Sequence, residues 1–204
     1  MTVWDARYER GFIYGEAPND FLVEHEPVIT RGARVLCLAE GQGRNAVFLA
    51  TRGHHVTGVD NSEVGLAHAR DLAARQGVSI VTVAADLADF DPGAGCWDAI
   101  VSIWCHLPPA LRLAVHRRCV AALDDNGVFL LEAYRPAQLD FGTGGPPDAA
   151  LLYTLDQLAS DLEGLTFEHG VETQRDVQEG ILHRGPSAVV QVVARKRRGH
   201  TREA

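Results

Sequence analysis

The stretch of sequence that decides the fold is residues 35–50, VLCLAEGQGRNAVFLA in one-letter code. Its first half is an apolar run typical of a buried strand, and an amphipathic helical pattern begins directly after Gly41 and Gly43. Because glycine has no Cβ atom, this turn can take a positive φ and a ligand can approach its backbone closely. The pattern predicts a ligand site beyond the strand's carboxyl end, although two glycines also suit an ordinary strand-to-helix turn.

A second strand pattern covers residues 54–60 and ends at Asp60, where nucleotide-binding sheets contact ribose hydroxyls. Strand and helix patterns then alternate, which predicts an α/β, Rossmann-like, doubly wound sheet with mostly parallel strands. No helix pattern separates the last two strands, so we expect a C-terminal antiparallel hairpin. The later predicted strands are residues 79–84, 97–104, 128–134, 165–171 and 187–194, with a turn at 124–127.

The length of 204 residues suits one domain with one substantial core. Dense aromatic residues near the N-terminus could pack on the sheet edge or cover a ligand, and Gly15 and Pro18 argue against a long helix there. A loop rich in glycine and proline follows the fifth strand and is expected over the ligand crevice. The predicted parts are a lid (1–30), a nucleotide-binding core (31–134), an active-site loop without regular structure (135–150), a closing helix with the hairpin (151–196) and a disordered tail (197–204).

The composition limits the classes of function. The net charge of −8 disfavours nonspecific binding to nucleic acid, and no apolar stretch approaches the length of a membrane span or a signal peptide. The four cysteines have no metal-binding spacing. We therefore expect a cytoplasmic protein that acts on a small molecule, without a metal; monomer and homodimer both stay open.

The glycine turn suits two kinds of cofactor. Residues 41–46 fit G-x-G-x-x-G/A, which also occurs in nicotinamide- and flavin-binding oxidoreductases. Glu40, however, would repel a pyrophosphate but suits the ammonium group of an amino acid. Asp86 can accept from the exocyclic amine of adenine, with the Leu87 N–H as donor to a ring nitrogen. Together with Asp60 and the terminal hairpin, these features favour S-adenosylmethionine over a dinucleotide.

The chain resembles the class I S-adenosylmethionine-dependent methyltransferases and, more narrowly, the tellurite-resistance (TehB-like) family. The glycine motif marks the superfamily, and the N-terminal and Leu-His-Arg segments are the narrower signals. Two positions depart from the superfamily pattern: Cys37 replaces an acidic residue and Ala39 a glycine, so Glu40 is expected to contact the cofactor's amino group. The matching segments are residues 4–8, 14–15, 18–22, 40–50, 106–108, 143–146 and 179–184.

The resemblance implies methyl transfer, in which the protein aligns the acceptor and excludes water. A soft or anionic acceptor such as a thiolate, or a tellurium or selenium oxyanion, needs positive charge more than a strong base. The residues expected to bind the cofactor are Trp4, Arg7, Tyr14, Glu40, Gly41, Gly43, Asn45, Asp60, Asn61, Asp86, Leu87 and Trp104.

The candidate catalytic residues are His183 and Arg184, which the resemblance supports, and His106. Without the resemblance, the first two would be a surface pair, and His106 could simply pack at a helix start. We expect His183 and Arg184 in a loop between the last two strands, with His183 becoming a stronger donor as it protonates near pH 6.5. The alternatives are an NAD(P)- or flavin-binding Rossmann oxidoreductase and a non-catalytic S-adenosylmethionine-binding module. The other histidines are expected on exposed or structural faces.

Overall fold

A computed structural model describes residues 2–197 of the chain. Its strands are β1 (Arg34–Leu38), β2 (His55–Asp60), β3 (Val81–Ala84), β4 (Trp97–Ile103), β5 (Leu123–Tyr134), β6 (Leu165–Glu179) and β7 (His183–Lys196). They form a 7-stranded sheet in the order β3-β2-β1-β4-β5-β7-β6. The first five strands are parallel, and β7 runs antiparallel to both β5 and β6. The predicted fold class and its antiparallel hairpin are confirmed.

Helices α4 (Glu63–Arg75) and α6 (Leu155–Asp161) begin where local capping signals place them. Helix α4 begins after Ser62, whose hydroxyl accepts from the Gly65 N–H, and α6 begins with a capping box between Thr154 and Gln157. Both caps agree with the sequence pattern. The helices are α1 (Val3–Tyr8), α2 (Asp20–His25), α3 (Arg44–Thr51), α4 (Glu63–Arg75), α5 (Pro109–Ala122) and α6 (Leu155–Asp161).

The core lies on both faces of the central strand β1, because successive side chains of a strand point to opposite faces. On one face Leu36 packs in a cluster that includes Cys119 of α5 and Leu158 of α6. On the other face Val35 packs in a cluster with Phe21 of α2 and Leu49 of α3, among other residues. Burial on both faces explains why β1 reads as a continuous apolar run.

Two strand boundaries differ from prediction. Strand β5 begins at Leu123, and its pairing with β4 jumps from Leu123 to Val128, so the predicted turn at 124–127 is an irregularity within the strand. Strand β6 extends to residue 179 and β7 begins at residue 183. Most of the predicted loop between them is therefore paired strand. Strand β6 is an edge strand with many exposed residues, and its second half therefore lacks an apolar alternation.

The segments before and after the predicted core contain more regular structure than the sequence predicts. Within residues 2–30, two short helices are followed by a short 3-10 helix at Glu26–Val28, and Tyr8 and Ile13 are buried. The loop after β5 contains a 3-10 helix at Pro136–Asp140, and another begins at Ala149. Most of the predicted tail, residues 198–204, lies outside the described residues.

Within residues 2–197, no helix is long and apolar enough to span a membrane. The same part of the chain has no group of three or more acidic, histidine or cysteine side chains that could hold a metal ion. Three of the four free cysteines, Cys37, Cys105 and Cys119, are buried, and Cys96 is exposed.

Candidate active site

A large cavity of about 1140 Å³ lies at the carboxyl ends of the parallel strands. Its floor is formed by residues that follow β1, β2, β3 and β4. Its cover consists of three segments that are far apart in sequence: residues 4–15, residues 142–147 and the hairpin tip, residues 180–184. All the predicted site residues line this cavity except Gly41 and Gly43. The structure thus brings the three candidate catalytic residues close to the predicted cofactor residues.

The glycine turn has the predicted backbone but not the predicted exposure. Gly41 and Gly43 have φ values of 59° and 89°, and Ala39, at the position of a superfamily glycine, has φ of 48°. A Cβ atom at Gly41 would collide with the Tyr8 hydroxyl, and one at Gly43 with Ala69 of α4. The two glycines therefore allow close packing of the protein against itself and do not line the cavity, and their role in cofactor binding stays a prediction.

Glu40 is a buried carboxylate at the start of α3. Its Oε1 atom accepts from the backbone N–H groups of Asn45 (3.1 Å) and Ala46 (2.8 Å), where the helix dipole favours negative charge. Burial nevertheless raises the pKa of Glu40 to about 7. Its side chain lies against Gly58, where a Cβ atom would be 3.0 Å from Glu40 Cγ. A nearby ammonium group would favour the ionised form of this carboxyl.

Asp60 has the chemistry that a ribose requires. Its Oδ2 atom accepts from the Gly41 N–H (2.9 Å) and its Oδ1 atom from the Ser62 N–H (2.8 Å). Burial raises the pKa of Asp60, and the backbone donors oppose that shift. Because a carboxylate has about four acceptor positions, each oxygen can still accept from one hydroxyl group. The residue fits a diol at this point of the cavity.

Asp86 and Leu87 follow β3 on the same floor. The Asp86 Oδ1 atom accepts from the Ala88 N–H (2.8 Å), and Asp86 remains exposed, so its second oxygen is available. Leu87 is buried and its carbonyl accepts from Arg118. This arrangement suits the edge of a purine base, with one carboxylate acceptor beside an apolar side chain.

A cluster of buried charges beside the cavity was not predicted. We call it the buried charge network; its members are Asn19, Arg44, Glu132, Arg175 and Glu179. The Glu179 Oε1 atom accepts from Asn19 Nδ2 (2.8 Å) and Arg175 Nη2 (2.9 Å). Its Oε2 atom accepts from Arg44 Nη2 and from Trp104 Nε1 (2.6 Å). Although burial opposes it, the charge of Arg44 and these hydrogen bonds lower the pKa of Glu179 to about 2.

Glu132 completes the buried charge network from strand β5. Arg175 donates to both of its oxygens, and Asn19 Nδ2 and Gln191 Nε2 add hydrogen bonds of 2.6 Å each. A glutamate with no exposed surface inside a run of apolar strand residues was the signal that could have revealed the network. Because its members come from the N-terminal segment, α3, β5 and β6, only the folded chain shows how they pair.

Trp104 lines the cavity and contacts the buried charge network. It has φ of 56°, a conformation that non-glycine residues rarely adopt and that often occurs at functional sites. Its indole stacks on Tyr134 with ring centroids 4.3 Å apart, while its N–H is bound by Glu179. The ring is thus fixed on one face and at one edge, and it forms a rigid part of the cavity lining.

His183 lies beside this ring at the first position of β7, not in a loop. Its ring centroid is 4.8 Å from that of Tyr14 and 5.1 Å from that of Trp104, and its buried Nδ1 atom has no partner in residues 2–197. Burial, helped by the charge of Arg44, lowers the pKa of His183 to about 3. The expected protonation near pH 6.5 is therefore wrong, and this histidine is neutral at pH 7.

His106 and Arg184 differ in their surroundings. His106 Nδ1 lies 2.8 Å from the Leu151 carbonyl, Nε2 accepts weakly from the Tyr134 N–H (3.4 Å), and burial lowers the pKa of His106 to about 4. Arg184 is exposed, and its guanidinium makes no salt bridge with any other residue of 2–197. At pH 7 the catalytic candidates thus comprise two neutral imidazoles and one unpaired cation.

The N-terminal segment both packs and covers, so the two options left open by its composition apply together. Tyr8 is buried against Gly41 and Gly65, whereas Trp4, Arg7 and Tyr14 line the cavity. The Arg7 guanidinium lies 4.8 Å from the centre of the Trp4 ring, which suits a cation–π contact. The other histidines within residues 2–197 lie outside the cavity; His54 is buried beside Glu26, and His116 beside Asp161.

Comparison with known proteins agrees with this geometry. Residues 35–127 match the profile of a family described as a methyltransferase domain. The uncharacterized methyltransferase YbaJ of Bacillus subtilis strain 168 is 28% identical over 160 residues, which cover 71% of this chain and 63% of that protein. The chain therefore spans less than two thirds of the length of this curated relative.

Solved structures share the fold at low identity. TehB from Haemophilus influenzae has a TM-score of 0.74 and 19% identity, with 95% of this chain and 67% of that chain covered. A protein described for the conversion of a disulfide bond into a thioacetal group during echinomycin biosynthesis has a TM-score of 0.77 and 21% identity over 98% and 92% of the two chains. N-methyltransferase NodS from Bradyrhizobium japonicum WM9 has a TM-score of 0.66 and 17% identity, with 88% of this chain and 98% of that chain covered.

The matched segment is similar to a methyltransferase domain, and the solved structures with the same fold include methyltransferases. These findings favour this class over the oxidoreductase alternative. The roles of the individual site residues stay predictions.

Proposed function

We propose that this protein transfers a methyl group from S-adenosylmethionine to a small, soft or anionic acceptor, either a thiol or a tellurium or selenium oxyanion. The observation that carries the proposal is the separation of charge in the cavity. The carboxylates of Glu40, Asp60 and Asp86 lie on the floor, and the unpaired guanidinium of Arg184 lies in the cover. A cationic cofactor and an anionic acceptor match these two regions.

Three floor residues would hold the cofactor. Asp60 would accept from the ribose hydroxyls, Asp86 from the adenine amine, and Glu40 would lie beside the ammonium group. When bound, the cofactor supplies an electrophilic methyl group on a sulfonium sulfur. The aromatic rings of Trp104 and Tyr14 would exclude water from the reacting region, which strengthens the electrostatic interactions there.

The acceptor end favours a nucleophile that is already anionic. A general base works best with a pKa near the operating pH, but the pKa values of His183 and His106 lie near 3 and 4. Both nitrogen atoms of His106 are also used within the protein, which favours a packing role for it. Arg184 would attract the anion and favour thiolate over thiol, and the neutral His183 would provide a hydrogen bond.

The TehB-like assignment belongs to the same proposal. It is supported by the His183-Arg184 step, by the N-terminal segment over the cavity and by the similarity of fold to TehB. It adds tellurium and selenium oxyanions to the acceptors worth testing.

A turnover screen tests the proposal. Formation of S-adenosylhomocysteine is followed with thiol, oxyanion and amine acceptors, and calorimetry measures the binding of S-adenosylhomocysteine and of NAD. We expect turnover with a thiol or an oxyanion and little with amines. Cofactor binding without turnover on any acceptor would indicate a non-catalytic binding module. Tight binding of NAD and none of S-adenosylhomocysteine would contradict the proposal.

A further inference from the structure

Three of the exposed large apolar side chains line the cavity. Ile181 is 79% exposed, Leu182 43% and Trp4 38%, and all three line the cavity. Single exposed apolar residues are normal on a protein surface, but a group of them at the entrance of a cavity marks a binding surface. These residues come from opposite ends of the chain, so the fold and not a local apolar run brings them together.

The hairpin tip that carries two of these side chains is held in place by backbone hydrogen bonds. The Ile181 N–H donates to the Ile13 carbonyl (2.8 Å), and the Arg184 N–H donates to the Thr143 carbonyl (3.2 Å). Gly180 has φ of 71°, and a Cβ atom there would collide with the Ile13 carbonyl. The tip thus joins the other two cover segments, which fixes Ile181 and Leu182 at the mouth.

An unpaired cation lies next to this apolar surface. Arg184 lines the same cavity two residues after Leu182. The cavity of about 1140 Å³ is also larger than the roughly 300–1,000 Å³ of most small-molecule sites, which leaves room for more than the cofactor. A bare inorganic oxyanion would use the cation but would leave the apolar side chains in water.

We propose that Trp4, Ile181 and Leu182 form an apolar acceptor subsite beside Arg184. The acceptor is then a thiol whose sulfur is attached to an alkyl or aryl body. The inference rests on the proposed methyl transfer and selects one of its acceptor classes. The apolar body covers the side chains at the mouth, and the guanidinium faces the sulfur.

The reaction of such an acceptor is balanced without another reagent. The thiol first loses its proton to solvent, which the nearby positive charge favours. A sulfur lone pair of the thiolate then forms the new S–CH₃ bond, and the electrons of the broken bond remain on the sulfur of the cofactor. The products are a methyl thioether and S-adenosylhomocysteine.

The test compares acceptors that differ in apolar surface. S-adenosylhomocysteine formation is measured with 1-butanethiol, thiophenol, 2-mercaptoethanol and selenite. We expect kcat/KM for 1-butanethiol and thiophenol to exceed that for 2-mercaptoethanol and selenite at least tenfold. The double variant Ile181→Ser, Leu182→Ser should lose most of that preference through KM, with the binding of S-adenosylhomocysteine unchanged. Val81→Ser, which alters an exposed valine on β3 outside the cavity, is the matched control for folding and activity.

Each other outcome overturns the inference. Turnover of thiols or selenite without a preference for apolar acceptors, or a double variant with the same preference, contradicts the subsite but leaves methyl transfer intact. A double variant that changes sedimentation and not acceptor preference assigns the apolar surface to a contact between two copies of the chain. No turnover with any probe contradicts the proposed function as well.

Discussion

The floor and the cover of the cavity are built in different ways. The floor residue Asp60 ends β2, and Glu40 and Asp86 lie two residues after β1 and β3, so their positions depend on the sheet. The cover residues, such as Trp4 and Arg184, come from segments that meet only in the folded chain. The difference is the basis of the proposed division of roles, in which the floor holds the cofactor and the cover sets the acceptor.

The buried charge network connects the two regions. Asn19 precedes α2, Arg44 begins α3 below the cover, and Glu179 ends β6 just before the hairpin tip. The N-terminal segment is therefore not a separable lid: deletion of residues 1–20 would remove Asn19 and the buried Tyr8 as well as Trp4. We expect such a deletion to lower stability in addition to cofactor affinity, so point variants distinguish the roles more clearly.

The largest expected effect is the loss of stability when the buried charge network is disrupted. Glu179→Ala leaves Arg44 without its buried carboxylate partner, while Arg175 keeps Glu132, so we expect the free energy of unfolding to fall by about 3–5 kcal/mol. Urea unfolding followed by circular dichroism measures the change. Glu163→Ala, which removes an exposed salt bridge to Arg117, is the control and should cost less than about 1 kcal/mol. Equal effects of the two variants would show that the network does not join floor and cover.

The next effect concerns the floor. Asp60→Asn keeps the side-chain shape but removes the charge, and it should weaken the binding of S-adenosylhomocysteine by about 1.5–3 kcal/mol for each charge-assisted hydrogen bond lost. Calorimetry measures the affinity, and Asp89→Asn, an exposed aspartate outside the cavity lining, is the control. Unchanged affinity in Asp60→Asn would remove this residue from the cofactor site.

The third prediction concerns the cover. Arg184→Ala should reduce turnover at least tenfold, about 1.4 kcal/mol in the activation barrier, while cofactor affinity stays nearly constant. Arg184→Lys should retain part of the activity because it keeps the charge. The control is Arg31→Ala, which removes an exposed arginine elsewhere. We expect a similar loss in His183→Ala, through a lost hydrogen bond and not a lost charge. Wild-type turnover in the double variant would exclude both residues from the mechanism.

The smallest effect is the pH dependence that His183 gives to stability. Its pKa is about 3 in the folded protein and ordinarily 6.5, so its stabilising contribution is complete above pH 6.5 and decreases as the pH falls towards 3. Between pH 7 and pH 6 we expect this residue to lower the free energy of unfolding by less than about 1 kcal/mol. Urea unfolding at both pH values measures the loss.

A comparison with a His183 variant is needed because Glu40 changes the free energy of unfolding with pH in the opposite direction. Its pKa is raised to about 7, so its contribution is complete below its unfolded pKa and decreases as the pH rises through 7. The difference between wild type and His183→Gln isolates the histidine, and His55→Gln, at an exposed position, is the control. The same pH dependence in wild type and His183→Gln would mean that His183 is not desolvated.

The floor was largely predictable because its signals are local. The helix caps at Ser62 and Thr154 involve residues that lie within three positions of each other. Strands β1 and β4 are largely buried, so their apolar runs mark them directly, and β-branched residues mark the more exposed β3. The positions of Asp60 and Asp86 follow once those strands are assigned.

Sequence by itself therefore determined the class of fold, the order of its central elements and the carboxylates at the strand ends. The tertiary structure alone decided the length of the hairpin, the buried charge network and the neutral state of His183. The reason is physical: burial and ion pairing depend on groups that are distant in sequence, such as Asn19 and Glu179, which are 160 residues apart. Periodicity reports which face of a segment is buried, but not which charged group from another segment meets it there.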